Sequence, residues 1–278
     1  SVRKSVLAML YGPYVMDGTI DLDAPLEENG IDDIQGLLPI EKRAKVRDLI
    51  AARSGVYHPA SNSGDSTEFA PERGSKQPGT HYLYHNWDFN AAGAVLEKTT
   101  GRNVYDIYQE HLADPLGFQD FHRRRHRKSG DETRSQHLAY HFNVSARDLA
   151  RIGYLMLRDG NWFGEQIIDA NWIRAIRTTV TPLEDINPDN TREAEFAYGY
   201  MWWIYAGDDP ALQGAYTGMG YYGQYIMVIP RLDMVISHKT NPSMTDRMNN
   251  DDNPGAISVS LGRFLNIVRA IVAAKNDA

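Results

Sequence analysis

The chain has 278 residues, of which 42% are hydrophobic, so it can bury a large core as one or two domains. Its formal net charge of -7 argues against nucleic acid or an anionic membrane surface as the main partner. The lack of cysteine excludes disulfides, thiolate catalysis and cysteine-ligated metals. No apolar stretch approaches the roughly 18 residues that a membrane span needs.

Helical patterns dominate the first part of the chain. The apolar run at 2–15 predicts a mostly buried helix, and 41–53 predicts an amphipathic helix that ends at Ser54-Gly55. The segment 56–80 is rich in Ser, Pro, Gly and charge, which predicts a long surface excursion. Further helices are predicted at 87–99, 103–111, 146–158 and 169–178.

Strand patterns come late in the chain. Alternating residues predict strands at 198–205, 222–229 and 233–238, with short turns such as 230–232, before a closing helix at 256–274. Helices first, then an antiparallel sheet and a last helix, is the order typical of an α+β fold.

The basic run at 122–128 predicts a solvated loop in preference to a binding patch. The nearby histidines, His122, His126, His137 and His141, lack a metal-ligand spacing with acidic partners. We therefore expect loop or surface roles for most of them and no metal site.

The first motif with chemical meaning is the Ser-x-x-Lys formed by Ser1 and Lys4. Residues three apart share one face of a helix, so the ammonium group of Lys4 can reach the hydroxyl of Ser1. A serine hydroxyl needs a neighbouring base, and lysine can serve if burial depresses its pKa from about 10.4. The amides at a helix N-terminus also favour a developing oxyanion. Ser1 is thus a candidate nucleophile and Lys4 its candidate base.

The second motif is Tyr84-His85-Asn86, directly before the helix predicted at 87–99. A tyrosine beside Lys4 can shuttle a proton between nucleophile and leaving group. The amide of Asn86 can position Lys4 and a substrate carbonyl. The alternative is a core tyrosine followed by an asparagine that caps the helix.

The third motif is the glycine-rich segment at 216–225, which begins Tyr216-Thr217-Gly218. Glycine lets the backbone approach a ligand closely, so a strand amide can be donated to an oxyanion. The alternative is a tight hairpin, for which the glycines would suffice.

Taken in this order, the three motifs resemble those of the serine β-lactamase and penicillin-binding superfamily. The resemblance is strongest to the class C branch, with its related esterases and 6-aminohexanoate-dimer hydrolases, and it covers residue 1 to about 268. It implies one catalytic unit over 1–278, with a mainly helical region at about 1–150 and a sheet with the C-terminal helix at about 195–278. The implied architecture is a five-stranded antiparallel sheet flanked by helices, beside a helical domain.

The resemblance also implies the roles of the site residues. Ser1 would be acylated, with Lys4 and Tyr84 as its proton partners. The oxyanion hole would combine the amide of Ser1 with that of a strand residue near Gly218, and no metal or organic cofactor is implied. The function predicted is hydrolysis of a small ester or amide through an acyl-enzyme intermediate.

Two departures from the family pattern qualify this prediction. The third motif normally begins with a lysine or histidine that holds the carboxylate of a β-lactam, and here it begins with Tyr216. We therefore expect esters to be preferred over lactams, and interpret the string at 238–241, His-Lys-Thr-Asn, as a coincidental match. The family also places a helix and two strands before the nucleophile, so we expect an N-terminal segment to be missing from this sequence.

Three other functions compete with this prediction. One is a β-lactamase or D-amino-acid peptidase. Another takes the α-amine of Ser1 as the base, which gives Lys4, Tyr84 and Asn86 no reason to occur where they do. A third is a non-catalytic binding or sensor protein on the same fold, which has no need for Ser1, Lys4 and Tyr84 together.

Overall fold

The computed structural model describes residues 1–62, 64–240 and 259–276. The helices of this part of the chain are α1 (Val2–Met16), α2 (Pro39–Lys42), α3 (Val46–Ile50), α4 (Asn86–Thr100), α5 (Val104–Tyr108), α6 (Ala146–Leu157), α7 (Ala170–Ile176) and α8 (Leu261–Asn276). Its strands are β1 (Arg127–Ser129), β2 (Ala139–His141), β3 (Asn161–Trp162), β4 (Glu165–Gln166), β5 (Phe196–Tyr198), β6 (Trp203–Tyr205), β7 (Tyr216–Gly220), β8 (Gln224–Ile229) and β9 (Met234–His238). Among the helices described, none is long and apolar enough to cross a bilayer.

The main sheet has five strands in the order β5-β6-β7-β8-β9, and every neighbouring pair is antiparallel. Alternate residues of β8 face opposite sides, as the pleat requires. Tyr225, Met227 and Ile229 pack with residues of α8, whereas Ile226 and Val228 belong to the larger core shared with the helical region. The α+β prediction, with a five-stranded antiparallel sheet flanked by helices, is confirmed.

Helix α1 runs through the larger core, and its burial and hydrogen bonds fix the position of its N-terminal end. Residues 6–11 are at most 1% exposed, so the helix is buried on all sides over this stretch. Two indole groups donate to its carbonyls, Trp202 to Ser5 at 3.1 Å and Trp172 to Ala8 at 2.8 Å. Because α1 packs against α4, α7 and β7, its first turn lies where the helical region meets the sheet.

The helix predicted at 41–53 is instead two short helices, α2 and α3. The break occurs because the chain between them bonds to an earlier segment. The amide of Leu26 donates to the carbonyl of Ala44 at 2.8 Å, and the amide of Val46 to that of Ala24 at 3.2 Å. The carboxylate of Asp48 then accepts from the amide of Lys45 at 2.8 Å, which restarts the helix.

The strand predicted at 198–205 is also divided, into β5 and β6. The backbone of the residues between them bonds outside the sheet: the amide of Tyr200 donates to Ile176 at 3.1 Å, and that of Met201 to Ile50 at 3.0 Å. Met201 has a φ of 59°, which reverses the chain. This turn ties the sheet to both α3 and α7.

The basic segment 122–128 is not wholly a solvated loop. Arg127 opens β1, which pairs with β2 in the register Arg127 with His141. His126 is only 5% exposed and His137 only 8% exposed, so these two histidines are buried although both lie in loops. Sequence alone did not show the aromatic surroundings that bury His126.

Candidate active site

Ser1 and Lys4 lie on one face of the first turn of α1. Ser1 occupies the N-cap position and is exposed, whereas Lys4 is 1% exposed. The Nζ of Lys4 is 3.1 Å from the Oγ of Ser1. The same Nζ lies 4.4 Å from the centroid of the Phe89 ring, so the amine sits in a largely apolar enclosure.

Tyr84 completes this group from the extended segment that precedes α4. Lys4 Nζ is 2.8 Å from the Tyr84 hydroxyl. The Tyr84 carbonyl accepts from the amide of Ser66 at 3.1 Å, and its ring contacts Phe89 and Trp203 at centroid distances of 4.9 and 5.5 Å. Backbone and ring contacts together hold the hydroxyl against Lys4.

Burial sets the charge states of this group. It lowers the pKa of Lys4 well below its ordinary value, with help from the nearby Arg3 cation and opposed by Asp65. Burial also raises the pKa of Tyr84 to about 12, opposed by its hydrogen bond with Ser1. Lys4 is therefore suited to accept a proton at moderate pH, while Tyr84 keeps its own.

Asn86 lies beside the group at the start of α4 and is 2% exposed. Its backbone amide donates to the carboxylate of Asp65 at 2.6 Å. Asp65 belongs to the segment predicted as a surface excursion, and no sequence motif singles it out. Its proximity to Lys4 and Asn86 arises only because residues 64–66 fold back over Tyr84.

The glycine-rich strand packs against the start of α1 at both Gly218 and Gly220. A Cβ at Gly218 would lie 3.0 Å from the Oγ of Ser5, one turn below Ser1. A Cβ at Gly220 would lie 3.0 Å from the backbone nitrogen of Ser1 and 3.1 Å from that of Val2. The backbone of β7 near Gly220, rather than near Gly218, thus forms the wall opposite Ser1.

Tyr216 lies away from Ser1, at the other end of β7. It stands four residues before Gly220 on β7, roughly 13 Å away at about 3.3 Å per residue. Its buried hydroxyl donates to the carbonyl of Met156 in α6 at 3.0 Å and accepts from Arg177 at 3.3 Å. Tyr216 therefore links the sheet to the helices behind it.

Two cavities meet at Ser1. One is a groove of about 750 Å³ whose lining includes Arg3, Asn86 and Lys239. The other has about 360 Å³ and an aromatic lining that includes Tyr84. Within the described residues, no group of three or more metal-ligating side chains could hold a metal ion.

The string 238–241 brings one of its residues, Lys239, to the site. It follows β9 and lines the groove, and its Nζ donates to the carbonyl of Val144. Burial lowers its pKa. The antiparallel return of β8 and β9 brings this lysine back to the end of the sheet where Ser1 lies, which the order of strands along the chain did not reveal. Asn241 lies outside the described residues.

We compared the chain with known protein families and with known proteins. The family described as Beta-lactamase matches residues 1–259. A 6-aminohexanoate-dimer hydrolase from Paenarthrobacter ureafaciens is 30% identical over 96 residues, which are 34% of this chain and 23% of that relative. The match thus spans less than a quarter of the relative's length.

Solved structures share the fold. A proposed 6-aminohexanoate-dimer hydrolase from Bacillus anthracis superposes with a TM-score of 0.70 at 19% identity, over 100% of this chain and 72% of that one. An octameric penicillin-binding protein homologue from Pyrococcus abyssi gives 0.60 at 19% identity, over 85% and 59% of the two chains. Because the family match covers nearly the whole sequence and the folds agree, the chain belongs to the beta-lactamase family.

Proposed function

We propose that this protein is a serine hydrolase that cleaves a small ester or amide through an acyl-enzyme on Ser1. The observation that carries the proposal is the position of the Lys4 amine. It is buried, its pKa is lowered, and it lies within hydrogen-bond distance of the hydroxyls of both Ser1 and Tyr84. A nucleophile, a base and a second proton carrier in mutual contact are the arrangement that covalent catalysis needs.

Acylation uses these three groups in turn. Neutral Lys4 takes the proton of Ser1 as the Oγ attacks the substrate carbonyl carbon. The oxyanion that forms faces the N-terminal end of α1, whose first amides have no partner within the helix, and the backbone of β7 near Gly220. Tyr84 then gives its proton to the departing alkoxide or amine and regains one from Lys4. The net result is the transfer of one proton from Ser1 to the leaving group.

Deacylation runs the same path in reverse. Water attacks the acyl carbon and loses a proton to Tyr84, which passes one through Lys4 to the Oγ of Ser1 as the acid departs. The balance is one water consumed and one acid released. The raised pKa of Tyr84 suits its role as proton donor in acylation, because the hydroxyl is protonated when the leaving group departs. In deacylation it accepts the proton of water only as it passes its own to Lys4.

The cavities support a small substrate with two unlike ends. Ser1 lies at the junction of the polar groove and the aromatic cavity, so each part of a cleaved ester or amide has its own compartment. The relatives described as 6-aminohexanoate-dimer hydrolases are named for a dimer of a small amino acid, which supports a small substrate with two parts.

β-Lactam hydrolysis is a second candidate activity, favoured by one observation. Arg3 and Lys239 both line the groove, so the absence of a cation at Tyr216 does not exclude a substrate carboxylate. Comparing kcat/KM for a chromogenic cephalosporin and a short 4-nitrophenyl ester decides between the two substrates. We expect the ester to be the better one.

Covalent labelling tests the proposal itself. The full-length protein is treated with a fluorophosphonate probe, and the modified peptide is identified by mass spectrometry. We expect one adduct on Ser1, blocked by prior incubation with a substrate ester. An unlabelled protein without esterase activity would instead support the non-catalytic binding function.

A further inference from the structure

A second cavity, of about 640 Å³, adjoins the groove at Ser1. The two share a wall formed by residues 141–143. The remaining lining of the second cavity is Arg124, Arg125, Arg127 and Ser129. We call this cavity the arginine basin.

The three arginines of the basin are not used in ion pairs with described residues, although their neighbours are. Arg123 pairs with Asp106 at 2.6 Å, and Lys128 pairs with Glu97. The chain carries 36 acidic and 29 basic residues, so carboxylates are in excess. Three guanidinium groups that together line a cavity without such a partner leave a local positive charge available to a ligand.

The segment that carries the three arginines is packed against the core through His126. His126, between the arginines, is buried and stacks on Phe121 at a centroid distance of 5.0 Å and on Tyr105 at 5.6 Å. Its Nδ1 accepts from the amide of Asn143 at 3.0 Å, which fixes the arginine segment to the shared wall. Burial lowers the pKa of His126 to about 4, so the ring stays neutral and keeps accepting this bond. A ligand therefore meets arginines on a preformed support.

We propose that the arginine basin is a subsite for an anionic end of the substrate, a carboxylate or a phosphate, joined to the ester or amide that lies at Ser1. This rests on the hydrolase function proposed above and narrows its substrate class. Guanidinium groups bind the oxygens of either anion in bidentate fashion and stay charged at all relevant pH values. Lys239 is a weaker candidate, because it already donates to Val144 and burial lowers its pKa.

Paired substrates test the proposal in the full-length protein. The carboxylate is placed on the acyl side in mono-4-nitrophenyl adipate, with 4-nitrophenyl hexanoate as its neutral partner. It is placed on the leaving side in 4-carboxyphenyl hexanoate, with phenyl hexanoate as partner. In the triple variant Arg124→Gln, Arg125→Gln, Arg127→Gln we expect the anionic-to-neutral ratio of kcat/KM to fall about tenfold or more in one series, with the neutral ester within about twofold of the wild type.

A charge-matched control separates the basin from net charge. The triple variant Arg43→Gln, Arg231→Gln, Arg263→Gln removes three exposed arginines that lie outside the basin and form no ion pair with described residues. It should leave both ratios unchanged. Ratios that stay at the wild-type value in the basin variant, for both series, would overturn the proposal.

Binding measured without turnover keeps this test separate from the hydrolase proposal. Adipate is followed by saturation-transfer NMR and inorganic phosphate by ³¹P line broadening. We expect binding to the wild type and the control variant, and its loss in the basin variant; which anion binds identifies the source of the charge. If neither binds, the subsite is refuted. If an anion binds but no ester is hydrolysed in a Ser1-dependent manner, the hydrolase proposal fails and the subsite stands.

Discussion

Lys4 and Tyr84 are joined by a hydrogen bond of 2.8 Å, although they are 80 positions apart in the chain. Lys4 belongs to the first turn of α1 and Tyr84 to the segment before α4, and these two helices pack against each other. The contact therefore depends on the core of the helical region. It connects the exposed Ser1 with the buried Lys4 and the half-buried Tyr84, and the expected effects of mutation follow from it.

The Ser1→Ala variant should lose both fluorophosphonate labelling and ester hydrolysis, because it removes the serine hydroxyl that lies 3.1 Å from Lys4 Nζ. Ser5→Ala is the matched control on the same helix. Ser5 donates to the carbonyl of Met201 at 2.7 Å, so its loss should cost about 1 kcal/mol of stability and leave labelling intact. Labelling and denaturant unfolding measure the two effects. Undiminished hydrolysis by Ser1→Ala would contradict the assignment.

Tyr84→Phe should lower kcat by about 10²- to 10⁴-fold with the fold retained, since it removes the second proton carrier. Tyr82→Phe, two residues earlier, is its control. The Tyr82 hydroxyl is buried and has no hydrogen-bond partner in the described structure, so its removal should leave kcat unchanged. Equal kcat values for the two variants would count against a proton role for Tyr84.

Lys4→Ala should lower turnover to a similar degree, because Ser1 then has no base. Rescue of the variant by added alkylamines would support a direct proton role. If the α-amine of Ser1 were the base instead, Lys4→Ala would retain most of the wild-type rate. Steady-state kinetics with a neutral ester, corrected with the Ser1→Ala rate, distinguish these outcomes.

The pH dependence of kcat/KM should show a rising limb. Activity needs neutral Lys4, whose pKa burial lowers below its ordinary value, so the active form appears as the pH rises through that lowered pKa. Tyr84, with a pKa of about 12, stays protonated across this range and adds no descending limb. A rate profile over the whole pH range in which the protein stays folded measures the limb. A kcat/KM that falls as the pH rises would be inconsistent with Lys4 as the base.

Gly220→Ala should lower kcat/KM on the order of tenfold to a hundredfold, because the new Cβ would lie 3.0 Å from the backbone nitrogen of Ser1 and displace the nucleophile. Gly262→Ala in α8 is the control, since its Cβ would meet nothing within 4 Å. We expect that variant to keep its activity. Equal activity of the two variants would show that β7 does not approach Ser1 closely at Gly220.

Sequence patterns determined much of this protein correctly. The apolar run of α1, the Ser-x-x-Lys spacing and the alternation of β8 and β9 are local properties, and one helix turn or one pleat is enough to interpret them. The order of the three motifs also led to the correct family and to a five-stranded antiparallel sheet.

Only the tertiary structure decided which parts of the motifs meet. Tyr216 begins a string similar to the family motif, yet it faces α6, and Gly220 lies at Ser1 because the register of β7 against α1 is set by long-range packing. Lys239 reaches the site because β9 runs antiparallel to β8, and Asp65 reaches it because residues 64–66 fold back over Tyr84. Sequence spacing reveals contacts within one element, whereas contacts between elements depend on how the cores pack.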